Sequence, residues 1–162
     1  GKMSTPFYAL LASPELADRV QEVGSFLRYH SKLPGALREL AIVAVASTMK
    51  SGVEYSAHSK IALSLGVSEK AIADASGGSH HGVDPLQCQI VEFAIALSED
   101  ACSEPPHAHA LQKALGDEEF ADLVCLCGYY RLLATFLRLS DLDHWSDRDG
   151  QVKVGQLIGQ HD

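Results

Sequence analysis

The chain has 162 residues, 46% hydrophobic and 21% charged, the proportions of one soluble globular domain with a single core. Thirteen basic against 21 acidic side chains leave a formal charge of −8, which argues against nucleic acid or anionic lipid as the main partner, since neither is drawn to a negative surface. No stretch reads as the roughly 18 apolar residues of a membrane span, and Gly1-Lys2-Met3-Ser4 lacks the apolar region of a signal peptide.

Taken in chain order, the punctuation is helical and strand signals are nearly absent. Ser13-Pro14-Glu15 supplies a cap, a first-turn proline and a first-turn acid for a helix running to about Tyr29. Leu33-Pro34-Gly35 interrupts, and a second helix spans about Ala36 to Lys50. Its centre, Leu40 to Ala46, is apolar on every side and should be buried all round. A third helix covers about Val53 to Leu65, with Gly66 as its C-terminal cap. Ser68 caps a short fourth, Glu69 to Ala75, and the run from Ser76 to Gly82 is a loop by composition. Asp84-Pro85 opens a fifth helix that ends near Ser98, and Pro105-Pro106 opens a sixth that stops at Gly116. Asp117 caps the last, about Glu118 to Leu139. One apolar stripe there holds Phe120, Leu123, Val124, Cys127, Ala134 and Leu137; a second holds Leu126, Tyr129, Leu133 and Phe136. Both must be covered, one of them by a second subunit if the chain itself does not suffice. From Trp145 onward the polar, Gly-containing sequence reads as a tail.

The segment that carries chemistry is Ser51 to Leu65. At about 100° per residue, Glu54, His58, Ile61 and Leu65 fall within roughly 60° of one helix face. Ile61 and Leu65 mark that face as the buried one, whereas Ser56, Ser59, Lys60 and Ser64 point elsewhere. A carboxylate and an imidazole on a buried stripe are costly unless they pair or border a cavity. One turn apart, they can hydrogen-bond each other, and Glu54 would then orient the ring and raise its pKa. His58 would become a proton donor or acceptor near neutral pH. The spacing alone also fits a surface ion pair, or half of a metal site.

Several runs resemble the carboxymuconolactone decarboxylase-like family. They are Leu33-Pro34, Arg38-Glu39-Leu40-Ala41-Ile42, Gly52 to His58, Ala62, and Leu65-Gly66-Val67-Ser68. Leu115-Gly116-Asp117, Leu123-Val124 and Gly128-Tyr129-Tyr130 resemble that family's closing helix, so the likeness covers about Leu33 to Leu139. The resemblance implies an all-α, alkylhydroperoxidase D-like fold: a single-domain orthogonal bundle of six to seven helices over residues 1–144, with 145–162 as the tail. It also implies a homo-oligomer, a trimer or hexamer, with an active site between helices. One chemistry of the family is a thiol peroxidase with Cys-x-x-Cys-x-x-x-His. Counting back from His58, Ser51 and Glu54 stand at those two cysteine positions, so that mechanism has no thiol here. The other is decarboxylation of a carboxylated muconolactone, with Glu-x-x-x-His, the pattern Glu54 and His58 keep. It implies a cofactor-free enzyme acting on a small lactone or related carbonyl acid. The alternatives are an oligomer that binds a small molecule without turnover, and a thiol peroxidase built on Cys125 or Cys127.

Tyr55, Tyr129, Tyr130 and Arg131 are the candidate substrate-binding residues. One of Tyr129 and Tyr130 should face the core, with a hydroxyl directed at a substrate oxyanion or His58; plain core packing is the other reading. Arg131 suits a substrate carboxylate or a structural ion pair. His80-His81 read as a loop over a pocket or as surface residues. His107 and His109 diverge, His30 and His144 join no constellation, and no spacing supplies zinc ligands around His58. Cys125 and Cys127 read as small core residues. With Cys88 and Cys102, they do not form a disulfide framework, and a cytoplasmic chain with reduced thiols and no nucleic-acid or membrane partner is expected.

Overall fold

The computed structural model describes Phe7 and residues 10–77, 84–99 and 104–143. His80, His81, Cys102, His144 and the expected tail lie outside the described residues. Within them the protein is all-α, with seven helices and no strand: α1 (Pro14–Tyr29), α2 (Gly35–Thr48), α3 (Gly52–Ser64), α4 (Glu69–Ala75), α5 (Pro85–Glu99), α6 (Ala108–Leu115) and α7 (Asp117–Leu139).

Helix α2 is the axis of the bundle. It packs against α3, α4, α5 and α7, and Leu40 to Ala46 are at most 1% exposed. This is the all-round burial that an uninterrupted apolar run demands. It ends before Lys50, which stands in the left-handed region at φ 54° and cannot continue a helix. The chain therefore turns within a few residues and returns as α3, lying against α2. The α1–α2 connection is tied to α7 by Ser31 Oγ donating to Asp122 Oδ2 (2.7 Å) and by the exposed Lys32–Glu118 pair.

Both apolar stripes of α7 are covered by the chain itself, because α7 touches α1, α2, α5 and α6. Leu123, Cys127, Ala134 and Leu137 are buried, and so are Leu126, Tyr129 and Leu133. Val124 departs from its stripe and is 41% exposed. Contrary to the expectation of no membrane-length segment, α7 is long and apolar enough to cross a membrane by length and composition. In the fold 44% of that apolar stretch is buried inside the protein. Helix α6 begins two residues later than the prolines suggest, since His107 adopts φ 65° and closes off the turn before it.

Helix α1 meets the body of the protein closely at one glycine. A Cβ placed on the buried Gly24 would overlap the Tyr129 hydroxyl and lie 2.7 Å from its ring Cζ. Gly24→Ala gains roughly 1 kcal/mol in helix propensity. Overpacking against a buried ring costs about 1–3 kcal/mol, and it wins. Chemical denaturation should show the variant less stable than the parent, with part of the loss recovered in Gly24→Ala/Tyr129→Phe. A more stable single variant would mean that Tyr129 moves aside without cost.

Candidate active site

The buried face of α3 consists of Glu54, Tyr55, His58, Ser59 and Ala62. Glu54 and His58 are inward, as their spacing requires, but the face is rotated from the one expected. Leu65 is the C-cap residue and 46% exposed, because it lies past the last helical turn. Ile61 is half-buried, and Ser59, expected to point away, is fully buried. Helix α3 packs on both α2 and α4, so its covered sector is broad and includes the Tyr55–Ser59 side.

The main partner of His58 is a residue to which the sequence reading gave no role. Glu39 on α2 is 2% exposed, and His58 Nδ1–H donates to its Oε2 at 2.5 Å. Glu54 Oε2 faces the other ring nitrogen, Nε2, at 3.3 Å. Glu39, rather than Glu54, therefore anchors the ring, and Glu54 is the looser neighbour. Arg38 Nε lies 3.4 Å from Glu39 Oε1 and supplies a nearby positive charge. The signal for Glu39 was present: a carboxylate in the first turns of a helix buried all round has to be paired.

Two carboxylates are acceptors only, so a ring that satisfies both must carry a proton on each nitrogen. Burial by itself pushes the His58 pKa down; the hydrogen bonds and charges of Glu39 and Glu54 outweigh it and hold the imidazole above its ordinary value. After giving up the Nε2 proton, the ring keeps Nδ1–H on Glu39, which fixes both tautomer and orientation. Nε2 is the working nitrogen, and Glu54 stands beside it. Glu54 Oε1 is buried and has no hydrogen-bond partner; the same holds for Ser51 Oγ at the start of α3 and for Ser59 Oγ.

Tyr129 and Tyr130 are both buried, although only one was expected to face inward, because α7 is wrapped by helices on several sides. Tyr130 presents its ring edge-on to His58, with centroids 4.9 Å apart and planes at 83°. Tyr129 packs edge-on against Tyr130 at 5.4 Å. The contact with His58 is thus between rings. Burial, reinforced by Glu54, raises both phenols, Tyr129 to about 12, so both remain protonated donors at neutral pH. Tyr55 is directed to α4, where Ser76 Oγ donates to its hydroxyl at 3.0 Å. Arg131 donates to the Leu97 carbonyl near the end of α5 at 2.8 Å. That bond gives one guanidinium nitrogen a structural task.

Cys125 and Cys127 do not assemble a second centre. Cys125 is exposed, whereas Cys127 is buried, and burial pushes its thiol up to about 12. The pair is therefore half core and half surface, in contrast to the expected two core residues. His107 Nε2 and Glu92 Oε2 are 2.6 Å apart across α5 and the start of α6, a contact the spacing of His107 and His109 did not suggest. Among the described residues no three His, Cys, Asp or Glu side chains are grouped to hold a metal ion. A surface hollow of about 900 Å³ is lined by α1 residues, including Glu15, Asp18, Arg19 and Glu22, and not by the His58 cluster. The cluster itself is enclosed, with Glu54 4% and His58 5% exposed.

Residues 14–80 match the carboxymuconolactone decarboxylase family. The match starts at α1, earlier than the resemblance read from the sequence, and ends before α5 and α7. It contains Glu39, Ser51, Glu54 and His58 but neither Tyr129 nor Tyr130. No curated protein and no solved structure matches the chain.

Proposed function

We propose that the chain, residues 14–80 of which match the carboxymuconolactone decarboxylase family and whose described residues form the all-α fold which that match implies, alkylhydroperoxidase D-like, is a proton-transfer enzyme acting on a small carbonyl acid. Decarboxylation of a carboxylated lactone is the leading case, and the homo-oligomer implied by the resemblance belongs to the same proposal. The observation that carries the reading is His58 held between two buried carboxylates, one of which keeps an oxygen unpartnered.

In the proposed reaction the substrate's carbon–carboxylate bond breaks and carbon dioxide leaves. The electron pair passes into the conjugated lactone carbonyl as a dienolate. His58 Nε2 delivers a proton to carbon, and the now neutral ring, still donating from Nδ1 to Glu39, is reprotonated from water by way of Glu54. The longer of the two His58 contacts, that to Glu54, is where a substrate interposes. The tyrosine hydroxyls, held protonated, are available to the developing oxyanion.

The near-complete enclosure of the cluster supports a second reading, a small-molecule-binding protein without turnover. One screen separates the two. Carboxylated lactones are incubated with the protein while carbon dioxide release is measured, and His58 ring signals are followed by NMR. Release that scales with protein supports the enzyme. Shifted ring signals without release of carbon dioxide from any lactone acid would leave the binding protein and remove the decarboxylase.

A further inference from the structure

Ser51-x-x-Glu54 at the start of α3 has the form of a capping box, in which the serine hydroxyl accepts from a backbone N–H of the first turn and the glutamate reaches back to the serine N–H. In this fold neither bond is made. The Ser51 side chain makes no cap hydrogen bond. Its N–H donates instead to the Ala46 carbonyl at 2.8 Å. The first-turn Val53 N–H donates to Asp143 Oδ1 at 3.1 Å, a carboxylate supplied from beyond α7. With both capping tasks taken by other residues, the Ser51 hydroxyl and one Glu54 oxygen are released from the helix end. Ser51 is fully buried and Glu54 nearly so, and both freed oxygens lack a partner. Buried polar atoms of this kind call for a partner: a bound water, an ion or a ligand.

Ser51 is the N-cap residue, in extended backbone (φ −95°, ψ 98°) just before α3, and Glu54 is the third residue of the helix, so both side chains stand at the same helix end, with His58 one turn on from Glu54. Ser59, whose hydroxyl is also unpartnered, lies roughly 12 Å further along the axis from Ser51 and outside this group. A carboxylate oxygen only accepts, whereas a hydroxyl both donates and accepts. A group that both donates and accepts satisfies both atoms at once, and among substrate functional groups a hydroxyl does so by donating to Glu54 Oε1 and accepting from Ser51. The other Glu54 oxygen faces His58 Nε2, so a hydroxyl bound there sits one carboxylate's width from the working nitrogen.

We propose that Ser51 and Glu54 form a hydroxyl-binding subsite next to His58, which selects small carbonyl compounds bearing a hydroxyl beside the reacting carbon. The inference rests on the proton-transfer reading of the same cluster, and it excludes a second carboxylate at this position, where Glu54 would repel it.

Equilibrium binding of γ-butyrolactone and of α-hydroxy-γ-butyrolactone to the full chain tests it, by titration calorimetry and by His58 ring shifts. The parent should bind the hydroxylated lactone at least about tenfold more tightly, the worth of a hydrogen bond to a charged group. Ser51→Ala should reduce that preference to about threefold or less. Thermal melting is the second measurement: deleting a hydroxyl that caps nothing should leave Tm unchanged or raised. Equal affinity for the two lactones, as expected if a permanent water fills the site, overturns the proposal. So does binding of neither, or a Tm lowered by Ser51→Ala as a true helix cap requires. Because the readout is binding, the two readings fail separately. A hydroxyl preference that Ser51→Ala reduces to about threefold or less, with no carbon dioxide release from any lactone acid, removes the decarboxylase and keeps the subsite; release without that preference does the reverse.

Discussion

A His58→Gln chain should fold and should turn over its substrate at least about a hundredfold more slowly than the parent, the usual worth of a positioned acid–base group. Glutamine is the informative replacement. Its amide still donates a hydrogen bond toward Glu39 but cannot lose or gain a proton near neutral pH. His58→Ala removes the donor altogether and leaves Glu39 and Glu54, both nearly buried, without the cation between them. Alanine should therefore destabilise as well as inactivate, whereas glutamine separates the chemistry from the architecture. Circular dichroism and melting establish the fold of each variant, and single-turnover carbon dioxide release gives the rate. A glutamine variant within about threefold of the parent would show that His58 only props the helices apart.

How much of this was legible beforehand depends on whether the information lies within one helix or between two. The inward turn of Glu54 and His58 follows from a spacing of four residues, and the burial of Leu40 to Ala46 follows from the absence of any polar side. Glu39 is 19 residues from His58 and on another helix. Periodicity places each side chain on a face but not against its neighbour across the interface. Only the packing of α2 on α3 unites them. The misjudged Leu65 has a similar origin: a periodic stripe does not announce where the helix stops being covered. Tyr129 and Tyr130, about 100° apart on α7, are both buried because helices approach from more than one side. That arrangement is tertiary and has no local signature. Ser51 shows the opposite case, a local signature overruled from a distance. Asp143 takes over a capping bond at α3, and the residue that should have closed the helix is left facing inward.

Removing Glu39 should carry a large stability cost. Breaking a buried ion pair by deleting one member typically costs about 3–5 kcal/mol, because the remaining charge keeps its desolvation penalty and loses its partner. Glu39 is 2% and His58 5% exposed, and they are 2.5 Å apart, so Glu39→Ala belongs in that range. Glu39→Gln keeps an acceptor for Nδ1–H but no charge, and should lose less. The pH dependence gives the sharper check. The folded-state pKa of His58 is raised above its ordinary 6.5. Its contribution to stability is therefore complete below that value and is lost as pH climbs through the folded pKa. Urea unfolding of the parent at pH values rising from 6.5 should show this contribution intact at first and lost as the raised folded pKa is passed. In both Glu39 variants the His58 ring should titrate at lower pH by NMR, and the decline should shrink. The stability gap between parent and Glu39→Ala would then narrow toward alkaline pH, because the parent sheds the charge–charge part of the interaction and keeps only the Nδ1–H hydrogen bond. A gap that stays constant with pH, together with an unmoved His58 titration, would mean that Glu39 contributes packing alone and that the ring is held by Glu54.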